Sequence, residues 1–169
     1  MNKIISIGML LVLTMLALSP VMAYDESTPY TVTLKWIVPA DTTFTVTLCG
    51  AESSIDFDDN INSNTETAVQ PDCQDNSTST PILNITNAGN VDLNFTCNLT
   101  ASKPAWATLY VNNVTDFSGA STFDTTAVVF ADEIKSGNST EVYLWTDISS
   151  AAEGTTTRTY QINSLQEPE

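Results

Sequence analysis

Hydrophobic side chains recur at every second position along this chain, and a period of two is the mark of strands that bury one face and wet the other. Tyr30, Val32, Leu34, Trp36 and Val38 fall on one side of their segment, opposite Thr31, Thr33 and Lys35, before Pro39 ends the run. Phe44, Val46 and Leu48 continue the inward series. A polar stretch follows, containing short segments at 55–57 and 67–70, and strands resume at 81–86, 91–99, 106–112, 125–130, 141–148 and 156–163. After residue 23 no apolar 3.6-residue pattern lasts long enough for a helix. Pro39-Ala40-Asp41, Asn87-Ala88-Gly89-Asn90, Ser136-Gly137-Asn138 and Glu153-Gly154 supply the turn residues between strands. Short strands at this spacing predict an all-β chain folded as a single immunoglobulin-like β-sandwich, with a jelly roll as the competing layout.

The first 23 residues follow a different logic. Lys3 precedes an apolar run over 4–18 and then Ser19-Pro20-Val21-Met22-Ala23, whose small residues at 21 and 23 suit signal peptidase. This predicts a signal peptide, 1–23, cleaved after Ala23, and a domain over 24–169 that is secreted or held at the cell surface with no membrane contact after cleavage. An uncleaved anchor is the alternative, since 4–23 just reaches the ~20 residues that span a bilayer.

Export bears on the cysteines, because an oxidising compartment favours pairing and three thiols leave one over. Cys97 shares parity with Val91, Leu93, Phe95 and Leu99 and is expected in the core. Cys49 ends a strand and Cys73 lies in a polar loop, so a Cys49–Cys73 disulfide is the preferred pairing.

Loss of Lys3 would leave 4 basic residues against 20 acidic ones, a net charge of −16. Such a field repels nucleic acid and anionic lipid and excludes both as partners. No histidine occurs, which removes Ser-His-Asp, Cys-His and histidine-ligated metal chemistry and predicts a chain that is not an enzyme.

Six N-x-[ST] sequons stand at Asn76, Asn84, Asn94, Asn98, Asn113 and Asn138. Asn94, Thr96, Asn98 and Thr100 alternate with Leu93, Phe95, Cys97 and Leu99, which predicts a strand with one apolar face and one open to N-linked glycans. Asp56, Asp58, Asp59, Asn60 and Asn62 place oxygens as at the start of a calcium loop, so calcium is the one cofactor the pattern suggests. The match is partial: Ile61 stands where an EF-hand needs glycine and Thr67 where it needs glutamate, and a solvated acidic loop explains the run as well. Trp36, Trp106, Trp145, Tyr110 and Tyr143 could line a sugar-binding face or pack in the core. Tyr143 and Trp145 oppose Val142, Leu144 and Ile148, so their strand is apolar on both sides and is either central or covered by a neighbouring subunit.

The series FTVTL at 44–48, SIDF at 54–57, VQP at 69–71, EVYLW at 141–145 and TTTRTYQIN at 155–163 resembles secreted archaeal surface proteins with immunoglobulin-like sandwiches. ITNAGNVDLNFT at 85–96 is similar to the strand-turn-strand of the camelysin and TasA group of biofilm fibre subunits. In that group, and in archaeal bundling pilins, an N-terminal strand of one subunit completes the sheet of the next. The resemblance implies that Tyr30, Val32, Leu34, Trp36 and Val38 form a donor strand. The expectation is a non-enzymatic extracellular structural protein, a filament or pilus-like subunit whose partners are its own copies or other cell-surface proteins. The alternative is a monomeric secreted binding module, an adhesin for glycan or calcium.

Overall fold

The computed structural model describes Lys35 and residues 38–51, 54–57, 60–150 and 156–166. The chain divides into two units, Met1–Val38 and Pro39–Glu169. The second unit carries the strands β1 (Phe44–Leu48), β2 (Thr65–Val69), β3 (Leu83–Asn87), β4 (Leu93–Leu99), β5 (Ala107–Asn112), β6 (Ser121–Phe123), β7 (Val128–Ile134), β8 (Ser139–Ser149) and β9 (Tyr160–Gln166), with one 3-10 turn at Cys49–Ala51.

These strands form two antiparallel sheets, as the period of two predicts. The larger runs β1-β3-β8-β5-β6, with β2 also on β8; the smaller runs β7-β4-β9. Inward residues of both close one core: Leu83, Ile85, Val111, Phe123, Val142 and Leu144 from the larger sheet meet Leu93, Phe95, Cys97, Leu99, Phe130 and Ala131 from the smaller. Phe44 packs edge-on against Phe95 at 5.3 Å, carrying β1 into the same core. Together these make an all-β sandwich.

Several boundaries differ from the sequence expectation: β2 lies within the polar stretch, and the last strand, expected at 156–163, spans Tyr160–Gln166. β6 has no counterpart in that expectation, because three residues, Ser121-Thr122-Phe123, offer only one apolar side chain to reveal a period. The segment expected at 125–130 lies at Val128–Ile134, since the charged Asp132 and Glu133 conceal a strand whose register against β4 is shifted twice. Asn87, a loop residue by sequence, ends β3 with its side chain wholly buried, on the same parity as Leu83 and Ile85.

β8 is indeed apolar on both faces, and residues of its own chain cover the second one. Tyr143 and Trp145 stack on each other and are buried, Phe117 packs edge-on at 5.6 Å from Trp145, and the Tyr143 hydroxyl donates to Glu141 at 2.8 Å. These two rings therefore cannot line a sugar-binding face. Along one edge of β8, Leu83 and Val142 are in register at one end and Val69 and Thr146 at the other, leaving Leu144 between them without a strand partner. The side chain of Gln74 fills that rung: its Oε1 accepts from Leu144 N–H at 2.8 Å and its Nε2 donates to the Leu144 carbonyl at 3.0 Å.

Candidate functional site

Sheet edges are the places where a sandwich can join another chain, because each presents unpaired backbone donors and acceptors unless something blunts it. Most edges here are blunted. β7 carries exposed Asp132 and Glu133, with Glu133 at φ 52 in the left-handed region. β2 is interrupted at Ala68, φ 54, where its register against β8 shifts. β6 spans three residues.

β1 and β9 are different. Each has a strand partner on one side only among the described residues, and each keeps an unbroken register: Phe44↔Asn87 to Leu48↔Leu83 for β1, and Leu93↔Gln166 to Leu99↔Tyr160 for β9. Neither contains a charge, a proline or a bulge. β9 is the longer and leaves Tyr160 and Ile162 only partly buried against the core, while Leu165 is 55% exposed on its other face.

The segment entering β1 is held by the loop between β3 and β4. The Asn90 carboxamide oxygen accepts from Asp41 N–H at 2.7 Å and its nitrogen donates to the Pro39 carbonyl at 3.0 Å, while Asn90 N–H donates to the Asp41 carbonyl at 3.0 Å. Asp41 O would lie 1.9 Å from a Cβ on Gly89, so only glycine admits this crossing. Asn87 anchors the loop: its side chain donates to the carbonyls of Val91 and Ile134, both at 2.8 Å, and accepts from Gly89 N–H at 3.0 Å. The Ser164 hydroxyl of β9 donates to the Thr42 carbonyl at 3.0 Å, so the held segment also touches the smaller sheet. Sequence reasoning finds only turn chemistry in this loop; the parity of Asn87 with Leu83 and Ile85 is the available signal for a buried polar anchor.

Of the donor-strand residues, Tyr30, Val32, Leu34 and Trp36 lie outside the described residues, and Val38 is 77% exposed. Cys49 and Cys73 form a disulfide with their Cα atoms 6.0 Å apart, which points to an oxidising compartment. Cys97 is a buried free thiol whose pKa burial pushes up to about 11.

Asp58 and Asp59 of the acidic loop also lie outside the described residues. Asp56 accepts from Phe57 N–H, Asn60 donates to the Gln70 carbonyl and to Asp72, and Asn62 donates to the Asn60 carbonyl and, through its backbone, to Glu66. The loop is thus tied to itself and to the start of the 70–80 segment. Among the described residues no three His, Cys, Asp or Glu side chains group as a metal site, and no helix is long and apolar enough to cross a membrane.

The sequons are not equivalent. Asn84 and Asn138 are exposed, whereas Asn76, Asn94, Asn98 and Asn113 are half-buried, and Thr96, expected on an open face, is buried. The chain matches no protein-family model, no curated protein and no solved structure.

Proposed function

We propose that this chain is a secreted, non-enzymatic structural protein of the cell surface or extracellular matrix, which self-assembles when the alternating segment 30–38 of one copy adds as a strand to β9 of the next. The main support is the edge of β9, which is regular, uncharged and seven residues long; β1, the other regular and uncharged edge, has five residues, and the rest are charged, bulged or shorter still. Strand addition supplies main-chain hydrogen bonds for affinity and pockets at alternate side chains for specificity. The apolar side chains of 30–38 meet the second requirement, and the half-covered Tyr160 and Ile162 are what they would shield.

The test compares chain 24–169 with chain 39–169 by electron microscopy and sedimentation. Filaments or oligomers are expected from the first and monomers from the second, with a synthetic 24–38 peptide binding 39–169 and halting growth of 24–169. Monomers from both chains at high concentration would overturn the proposal.

A further inference from the structure

We infer that Asn84 and Asn138 are the N-glycan acceptors of this protein, and that the other four sequons stay bare in the folded molecule. In the transfer reaction the carboxamide nitrogen attacks C1 of a glycan carried on a polyprenyl phosphate or diphosphate. The Nδ2–C1 bond forms, the C1–O bond to the carrier breaks with its electron pair going to the phosphate, and Nδ2 gives up one proton. The product nitrogen keeps a single hydrogen and carries a bulky sugar that must reach solvent. Whether transfer precedes or follows folding, the folded molecule therefore tolerates a glycan only on an outward carboxamide whose nitrogen the packing does not use.

Asn98 fails on both counts. It is half-buried, and its Nδ2 donates to the Leu99 carbonyl at 3.0 Å and to Gln161 Oε1 at 3.3 Å, while its Oδ1 accepts from Asn163. Its carboxamide lies along β9. Asn94 is half-buried with its Oδ1 accepting from Glu133 N–H of β7 at 2.8 Å, a contact that a glycan on its nitrogen would crowd. Asn76 is half-buried, donates from Nδ2 to the Thr115 carbonyl at 3.3 Å and accepts from Gln74, which ties it to the 113–117 loop. Asn113 is half-buried in that same loop.

Asn84 and Asn138 lie along one ladder of the larger sheet. Asn84 is exposed on β3, with Thr47 of β1 and Glu141 of β8 as its cross-strand neighbours. The next exposed-face rung is Thr45, Thr86 and Ser139, whose Thr86 and Ser139 hydroxyls meet at 2.7 Å. Asn138 stands in the turn just beyond, its carbonyl accepting from Asn87 N–H while its side chain is exposed. This is a hydroxyl-rich polar face at the β3–β8 ladder. Sugars there would coat the outside of the larger sheet and leave β9 clear. The Thr140 of the Asn138 sequon is buried, so that site must be modified before β8 docks.

The test expresses the full chain with an added C-terminal control sequon in an N-glycosylating secretory host, isolates folded molecules whose control sequon is occupied, and maps glycans by mass spectrometry. Asn84 and Asn138 should be occupied in most molecules and the other four in under a tenth. Asn84→Gln and Asn138→Gln should each remove one glycan mass, and Asn98→Gln none. Empty Asn84 and Asn138 beside an occupied control, or equal occupancy at Asn94 or Asn98, would overturn the assignment. Because it concerns the larger sheet, the result is independent of whether β9 receives a strand.

Discussion

The carboxamide of Gln74 makes both backbone hydrogen bonds of Leu144, standing in for a peptide group on the edge of β8. A side chain from the 70–80 segment thereby joins the β3 and β2 portions of one strand edge. Gln74→Ala would leave a buried N–H and a buried C=O without partners, at about 1–3 kcal/mol each before relaxation. Chemical denaturation should show a loss of about 2–4 kcal/mol, and hydrogen exchange should show the Leu144 amide losing protection. Gln74→Glu keeps the acceptor but sets a carboxylate oxygen against the Leu144 carbonyl, so it should not restore stability.

Asn87 makes a comparable bridge between the sheets, donating to Ile134 of β7 from the end of β3. Asn87→Asp replaces the nitrogen that makes both donated bonds with one carboxylate oxygen facing two carbonyls in a wholly buried position. A loss of about 3 kcal/mol or more is expected at neutral pH. It should shrink as the pH falls and the carboxyl takes up a proton, which denaturation at pH 4 and 7 would read.

Gly89→Ala tests the crossing at Asp41. A Cβ there meets Asp41 O at 1.9 Å, so the 39–43 segment has to move. Overpacking of this kind costs about 1–3 kcal/mol. Faster amide exchange at Asp41, Ala88 and Asn90 than at core strand amides would place the damage at the crossing.

Alkaline pH should weaken the fold in a defined window. Burial holds the Cys97 thiol up at about 11, and burial together with Glu141 holds the Tyr143 hydroxyl up at about 12. The Tyr160 hydroxyl, buried beside Cys97 although the ring is only partly covered, is raised well above the usual phenol value. In the unfolded chain these groups ionise near ~8.5 and ~10. The folded state then holds more protons than the unfolded one, so stability is full below about pH 8.5 and falls as pH rises towards 12. Urea denaturation from pH 8 to 11.5 should show the decline, and Cys97→Ala should flatten its part between 9 and 11.

Reduction of Cys49–Cys73 reopens a loop closed over a separation of 24 residues. A loop of that size restricts the unfolded chain by roughly 3 kcal/mol. A matched drop in the denaturation midpoint with dithiothreitol, mirrored by the Cys49→Ser, Cys73→Ser double variant, is the expected result.

The all-β class, the core parity of Cys97 and most strands are legible in sequence, because alternation of apolar and polar side chains is a local property. Gln74 is not, because nothing near position 74 reveals that Leu144, 70 residues away, lacks a strand partner on one edge of β8. The open face expected for Asn94, Thr96 and Asn98 fails for the same reason. Parity tells which side of β4 a residue takes, but only the packing of β7 and β9 beside it tells how much of that side remains in solvent.

The hold of Asn90 on Pro39 and Asp41 has a mechanical meaning. Tension applied through the N-terminal segment enters the sandwich at Pro39, ahead of β1. It must first break the three hydrogen bonds that Asn90 makes with Pro39 and Asp41, anchored through Asn87 to both sheets, before any rung of β1 can peel from β3. The loop between β3 and β4 is therefore a strain relief, taking load at one fixed point and keeping it from the edge strand behind.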